Sequence, residues 1–288
     1  MIDVYKDGNE FVGKVNGTEV IRTKSQIYAK RKCQEAFDKI EVEQESTNEF
    51  GINDRFKFVN ELVTMVAKGQ TPSVVITGEG GLGKSYTVTK ALKDAGLKDV
   101  TEMEVGETVT PRGTYRIVKG FSTAKGLYRI LYENRNSIIV FDDTDAILKD
   151  ADALNILKGA LDSYDKRIIT WNTSRTDDLP RLFTFTGGIV FISNMKMNKI
   201  DQALRTRSMC VDLSMTSDQK VERMEAIAYA PSFMPELGVH TKREAMEVIK
   251  DNRHAAKELS LRSLIMVTKI RSAGTRDWKN LAKYMLCN

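Results

Sequence analysis

Cysteine is scarce: Cys33, Cys210 and Cys287 lie far apart among 288 residues, form no CxxC pair and, being three, cannot all pair within the chain. A disulfide framework and a zinc ribbon are thereby excluded, and a reducing compartment is expected. Histidine is scarcer. His240 and His254 read as surface residues, and no Ser-His-Asp or Cys-His arrangement is legible. No stretch approaches the roughly 18 uninterrupted apolar residues of a membrane span. The opening MIDVYKDGNEF is charged from its third residue and lacks the apolar core of a signal peptide. No membrane partner and a cytoplasmic location are therefore expected. Charge of one sign is in small excess, 44 − 39 = +5, which permits a nucleic-acid partner without arguing for one. Internal repeats and low-complexity tracts are missing too. What is present, 41% hydrophobic and 29% charged residues, is an ordinary globular composition with length for one large domain or two smaller ones.

Three regions follow along the chain. In residues 1–48, two apolar-rich runs flank Asn16-Gly17, a strong hairpin signal, and SQIYAKRKCQEAFDKI has a serine cap and helical spacing. A small strand, hairpin and helix module is expected, followed by a polar linker, EVEQESTNEFG. From 49 to 214, helical stretches alternate with β-branched runs at 73–78, 114–120, 137–142, 188–193 and 209–214, the order of a parallel sheet covered by helices. Beyond Met215 no strand signal survives, and residues 215–288 are expected to form an all-helical subdomain.

Gly78-Glu79-Gly80-Gly81-Leu82-Gly83-Lys84-Ser85 fits GxxxxGK[ST] between a β-branched strand and a helical run that opens on Tyr86. Glycines let consecutive backbone N–H groups curl around phosphates. Lys84 supplies a point charge, and Ser85 a hydroxyl for Mg²⁺ at a helix N-terminus. Such a loop also needs a carboxylate at the end of a neighbouring buried strand. Ile138-Ile139-Val140-Phe141-Asp142-Asp143 offers one: Asp142 to position the ion and Asp143 to orient or deprotonate a water. The alternative is an aspartate pair that caps the next helix. Asn194, directly after GGIVFIS, is a neutral amide placed either to hold that water or to make a turn.

In this order, the phosphate loop, the Asp142-Asp143 strand, the Asn194 strand, the helix carrying ALRTRS and the helical tail resemble the AAA+ ATPases over residues 52 to 288. The resemblance implies an α/β fold: a five-stranded parallel P-loop core, an all-helical C-terminal lid and the small α+β N-terminal module. It implies ATP and Mg²⁺ as cofactors, with Walker A at Gly78 to Ser85, Walker B at Asp142 and Asp143, and sensor 1 at Asn194. It further implies an arginine finger at Arg207, with Arg205 held in reserve, a sensor 2 arginine at Arg262 and a homo-oligomer, usually a ring of six. The family usually has Asp-Glu at Walker B. The shorter Asp143 here puts fast hydrolysis in doubt. The chain is similar in look to ATPases of tailed bacteriophages, which would place it in the host cytoplasm.

Between the Walker B helix and sensor 1, RIITWN and RLFTFT alternate around the turn-rich NTSRTDDLP. A β-hairpin is expected there, and in helicase-like branches of the family such a hairpin faces the central channel. Lys166, Arg167, Arg175 and Arg181 would line it for DNA. Packing on its own subunit is the alternative. Phe121 stands near the place where protein-threading members present an aromatic grip, though without the order of residues those loops share. The N-terminal cations Lys24, Lys30, Arg31 and Lys32 fit nucleic acid, a protein partner or a solvated face. The expectation is an oligomeric Mg²⁺-dependent ATPase that moves or remodels DNA. A protein-remodelling chaperone or helicase loader is the first alternative and a monomeric P-loop kinase the second.

Overall fold

The structure is a computed structural model that describes residues 2–15, 17–45, 49–103, 112–120, 123–162, 166–171 and 178–288, with only the backbone over 37–45. Two compact units divide the chain, 1–49 with 214–216, and 50–213 with 217–288.

In the first unit β1 (Ile2–Asp7), β2 (Glu10–Val15) and β3 (Thr18–Thr23) form an antiparallel meander, followed by α1 (Gln26–Glu45). The β2 and β3 pairing is the hairpin expected around Gly17. Asn16 lies outside the described residues. Val12 and Val15 from the sheet and Ala29 and Cys33 from the helix are buried, which is how a module this small obtains a core. The run expected to be a linker from Glu41 is instead helical through Glu45. Glu and Gln are good helix formers, and no Gly or Pro intervenes to stop the helix.

The second unit opens with α2 (Ile52–Ala67), β4 (Ser73–Thr77), α3 (Lys84–Asp94), the two-residue β5 (Lys98–Asp99) and β6 (Thr114–Lys119). It continues through α4 (Ala124–Glu133), β7 (Ile138–Asp142), α5 (Ala151–Ala160), the short β8 (Ile168–Thr170) and β9 (Leu182–Thr184), and β10 (Gly188–Ile192). Then come α6 (Gln202–Arg207), β11 (Met209–Asp212) and four helices, α7 (Ser217–Ala228), α8 (Val239–Asp251), α9 (Leu261–Ser272) and α10 (Trp278–Cys287). The strands order as β11-β4-β10-β7-β6-β5, every neighbour parallel. The sheet therefore has six strands where five were expected. The sixth, β5, pairs through only Lys98 and Asp99, too short a stretch to show an alternating pattern.

All residues of β4, β7 and β10 are buried, as strands covered on both faces must be, and their sequences are accordingly continuous apolar runs. Phe141 of β7 and Phe191 of β10 stack at 5.3 Å, packed in a cluster with Leu127 and Leu131 of α4 and Leu157 of α5. Because the strands run parallel, Thr77, Lys119, Asp142, Ile192 and Asp212 all end at one edge of the sheet, where α/β folds place their ligands. Helix α8 stops at Asp251, with Asn252 as its cap and its side-chain Nδ2 donating to Val248 O. Among the described residues no helix is long and apolar enough to cross a membrane.

Candidate active site

The loop between β4 and α3 takes its shape from glycines. Gly78 has φ 132°, and a Cβ there would stand 2.8 Å from the backbone of Leu213 on the next strand. Gly81 has φ 81°, and a Cβ there would stand 2.8 Å from Cβ of Ser260. An L side chain at either place is strained twice, by the left-handed backbone and by the neighbour. Helix α9 sits against this loop: Leu261 N donates to Gly81 O at 2.7 Å, and Ser260 caps the helix by accepting from Ser263 N. Glu79 pairs with Lys220 of α7. Leu82 is buried, whereas Tyr86 is exposed on the first turn of α3.

Lys84 opens α3 and is buried. Its Nζ donates to Gly78 O at 2.6 Å, Glu79 O at 2.7 Å and Asn194 Oδ1 at 2.9 Å. Burial pushes this ammonium below the usual lysine range, while Asp143, Asp142, Asp145 and Glu79 pull it back. Asn194 uses its other end as well, its Nδ2 donating to Asp143 Oδ1 at 2.6 Å. One amide thus bridges the loop cation and the carboxylate of Asp143, which fits a role beyond that of a turn residue. Asp143 reaches it from a left-handed backbone, φ 55°, a conformation that aspartate tolerates better than most residues.

Ser85 Oγ donates to Asp142 Oδ1 at 2.9 Å, and Lys119 Nζ lies 3.2 Å from Asp142 Oδ2. A hydroxyl and a carboxylate are the hard oxygen donors that Mg²⁺ prefers, and the pair fits such an ion with phosphate oxygens and water completing the shell. Among the described residues no group of three or more His, Cys, Asp or Glu forms an all-protein metal site. Asp145 takes a supporting part: its Oδ1 accepts from Ser193 Oγ at 2.6 Å, and Ser193 Oγ accepts from Met195 N, bracing the segment that presents Asn194.

The two expected arginines stand differently. Arg207, at the end of α6, is exposed and donates to Ala203 O of its own helix. Arg205, its reserve, is also exposed, with Nε donating to Ile200 O. Neither bonds to Lys84, Asp142, Asp143 or Asn194. Arg262 follows the docked Leu261 and is exposed, and its guanidinium has no hydrogen bond or ion pair among the described residues.

The expected hairpin is present as β8 paired with β9, Ile169 opposite Phe183. Its aromatic side is core: Phe183 packs edge-on against Tyr128 and Tyr132 of α4, Trp171 lies beside Tyr128, and Tyr128 Oη donates to Pro180 O. Its other side shows Ile168, Thr170, Leu182 and Thr184, all exposed. Arg167 departs from the expectation that it would line the hairpin's surface for DNA: it is buried. Only 8% exposed, it donates to Ala160 O at the C-terminal end of α5 and to Gly187 O, and its guanidinium lies over Phe185. A helix C-terminus concentrates carbonyl charge that attracts such a cation. Burial, with Arg112 beside it, pushes its pKa down to about 10. Lys166 and Arg181 are exposed. Arg175 and Phe121 lie outside the described residues. Of the N-terminal cations, Arg31 and Lys32 both pair with Glu35.

Sequence reasoning did not find the Lys119 and Lys220 pairings. Each joins residues that only the chain's return brings together; the signal for Lys119 was its place at the end of a strand, and for Lys220 there was none. His240 pairs with Glu244 and is exposed, as is His254.

The sequence pattern of the AAA family, "ATPase family associated with various cellular activities", matches residues 74–217. A protein of Enterobacteria phage T4, the "Uncharacterized 36.7 kDa protein in nrdC-mobD intergenic region", is 29% identical over 307 aligned positions, covering 98% of this chain and 87% of that protein. The solved structure of C. elegans PCH-2 aligns with a TM-score of 0.41 at 12% identity, over 82% of this chain and 67% of that one.

Proposed function

The chain belongs to the AAA family of ATPases, and from that premise we propose that it is an oligomeric, Mg²⁺-dependent ATP hydrolase that works on a polymer, in the first place DNA. The observation that carries the hydrolytic part is the Lys84–Asn194–Asp143 chain of hydrogen bonds. It ties the group suited to grip a phosphate to the group suited to activate water. Lys84 would exchange its bonds to Gly78 O and Glu79 O for phosphate oxygens, assisted by the loop amides at the start of α3. Ser85 and Asp142 would hold Mg²⁺, which when bound neutralises charge on the phosphates. Asp143 would accept the proton of the attacking water while Asn194 fixes its carboxylate, and Arg207 would complete the site of a neighbouring copy. Arg262, beside the loop-docked Leu261, would report the nucleotide's state to the helical tail.

For DNA, the exposed Lys166 and Arg181 supply phosphate-neutralising charge on the hairpin. A second reading, polypeptide remodelling, is favoured by the hairpin's open face, where Ile168 is 50% and Leu182 59% exposed. ATP turnover measured alone, with single-stranded and duplex DNA, and with an unfolded polypeptide separates the two. Asp143→Asn should lower turnover by roughly a hundredfold or more, with nucleotide affinity retained within a few fold. Undiminished turnover in that variant would remove Asp143 from the chemistry. Stimulation by polypeptide and not by DNA would overturn the DNA reading.

A further inference from the structure

Lys119 is the last residue of β6, and the parallel register sets it directly beside Asp142, the last residue of β7. Residues so paired lean from the same face of a sheet, so their contact is built into the strand register. The two oxygens of Asp142 are divided between two partners: Oδ1 accepts from Ser85 Oγ and Oδ2 faces Lys119 Nζ. Lys84, the other cation of the site, donates instead to Gly78 O, Glu79 O and Asn194 Oδ1. The ionic partner of this buried carboxylate is therefore Lys119. The ends of the pair are unequal, the Asp142 side chain being 5% exposed and that of Lys119 67%. The carboxylate is fixed by the sheet and by Ser85, whereas the ammonium rides on a flexible four-carbon stem in water and can leave.

We propose that Lys119 is the built-in countercation of the metal position: its ammonium competes with Mg²⁺ for Asp142 and so sets the metal concentration at which the nucleotide site loads. The inference rests on Ser85 and Asp142 being that position. A carboxylate this buried needs a counter-charge. A divalent ion brings more charge to the same oxygens and repels the ammonium a few ångströms away. Two cations of unequal charge on one acid compete, and the exposed, monovalent one gives way. Lys119 would thus support the acid before loading and raise the metal concentration that loading needs.

The test is Mg²⁺ titration of the full chain in the presence of a fluorescent ADP, with wild type, Lys119→Met, Lys119→Gln and Lys119→Arg compared, alongside thermal melts in EDTA and in Mg²⁺. Removing the ammonium should lower the half-saturating Mg²⁺ concentration about three- to tenfold, given that a half-exposed ion pair is modest in strength. Lys119→Arg should stay near wild type. In EDTA the Met and Gln variants should melt below wild type, and Mg²⁺ should raise their melting temperature more than it raises that of wild type. A purely structural surface lysine would change melting without moving the Mg²⁺ midpoint. Unchanged or higher midpoints in Met and Gln, with nucleotide still bound, would overturn the inference alone. Absence of nucleotide binding by wild type at any Mg²⁺ concentration would overturn the site reading and the inference with it.

Discussion

Lys84 is held by two opposed influences, burial that disfavours its charge and four nearby carboxylates that favour it, and burial wins. The unfolded chain keeps that proton at the ordinary value of 10.5 and the folded chain holds it less tightly. Stability should therefore rise with pH between the depressed value and 10.5, through this group. Nucleotide affinity should run the other way, because phosphate prefers the charged lysine: Kd should climb by up to about tenfold per pH unit once pH passes the depressed value. Titrations of fluorescent ADP from neutral pH upward check this, with Lys84→Ala expected to bind roughly a hundredfold more weakly and to lack the slope. A wild-type profile that stays flat would mean another group meets the phosphate. The types and places of Asp142 and Asn194 were legible because each follows an apolar run that ends abruptly, and those of Lys84 and Ser85 because they close a glycine-rich loop before a helix. The bonds among them were not. Asp143 shows why: its short side chain meets Asn194 from a left-handed backbone, a turn that no neighbouring glycine announces in the sequence.

The hairpin between α5 and β10 was recognisable from its alternation, yet alternation says only that two faces differ. Phe183 and Trp171 went inward because Tyr128 and Tyr132 of α4 supply an aromatic wall. Arg167 went inward because the end of α5 and Gly187 present carbonyls that need a donor. Arg167→Ala should therefore destabilise the fold by about 2–4 kcal/mol, leaving two buried carbonyls without that partner, and urea unfolding measures the loss. Lys166→Ala with Arg181→Ala should instead leave stability within about 0.5 kcal/mol. If DNA is the substrate, that pair should lower the salt slope of DNA binding by up to about 2. The reverse pattern, a stable Arg167→Ala that binds DNA weakly, would restore Arg167 to the surface role its sequence suggested. The edge strand β5, which exists through its pairing with β6, and the helical continuation of α1 to Glu45 are further features too short or too polar for periodicity to show.

As an assembly the protein is expected to share its active sites between copies. Among the described residues the Arg207 guanidinium donates to its own helix and stands exposed, which leaves it accessible to a neighbouring copy in the proposed assembly. Arg207→Ala should abolish turnover while preserving nucleotide binding. Mixing it with inactive Asp143→Asn should restore part of the activity, because an Arg207→Ala subunit keeps its own Asp143 and can receive Arg207 from an Asp143→Asn neighbour. Turnover assays of the mixture across a dilution series measure this. No recovery at any concentration would leave the site complete within one chain. Arg205→Ala serves as the comparison, since its Nε is held by Ile200 O, which lies just before the same short helix.

The phosphate loop, the acids, the sensor amide and the succession of strands and helices were carried by the linear order of residues, since each rests on local rules: apolar runs that end in a polar group, glycines before a helix, period and caps. Strand order, the sixth strand, the inward turn of Arg167 and the pairing of Lys119 with Asp142 arose only on folding. Those depend on which distant segments lie side by side. Charge partners and burial are properties of that neighbourhood, and a residue type does not disclose its neighbours until the chain has closed around it.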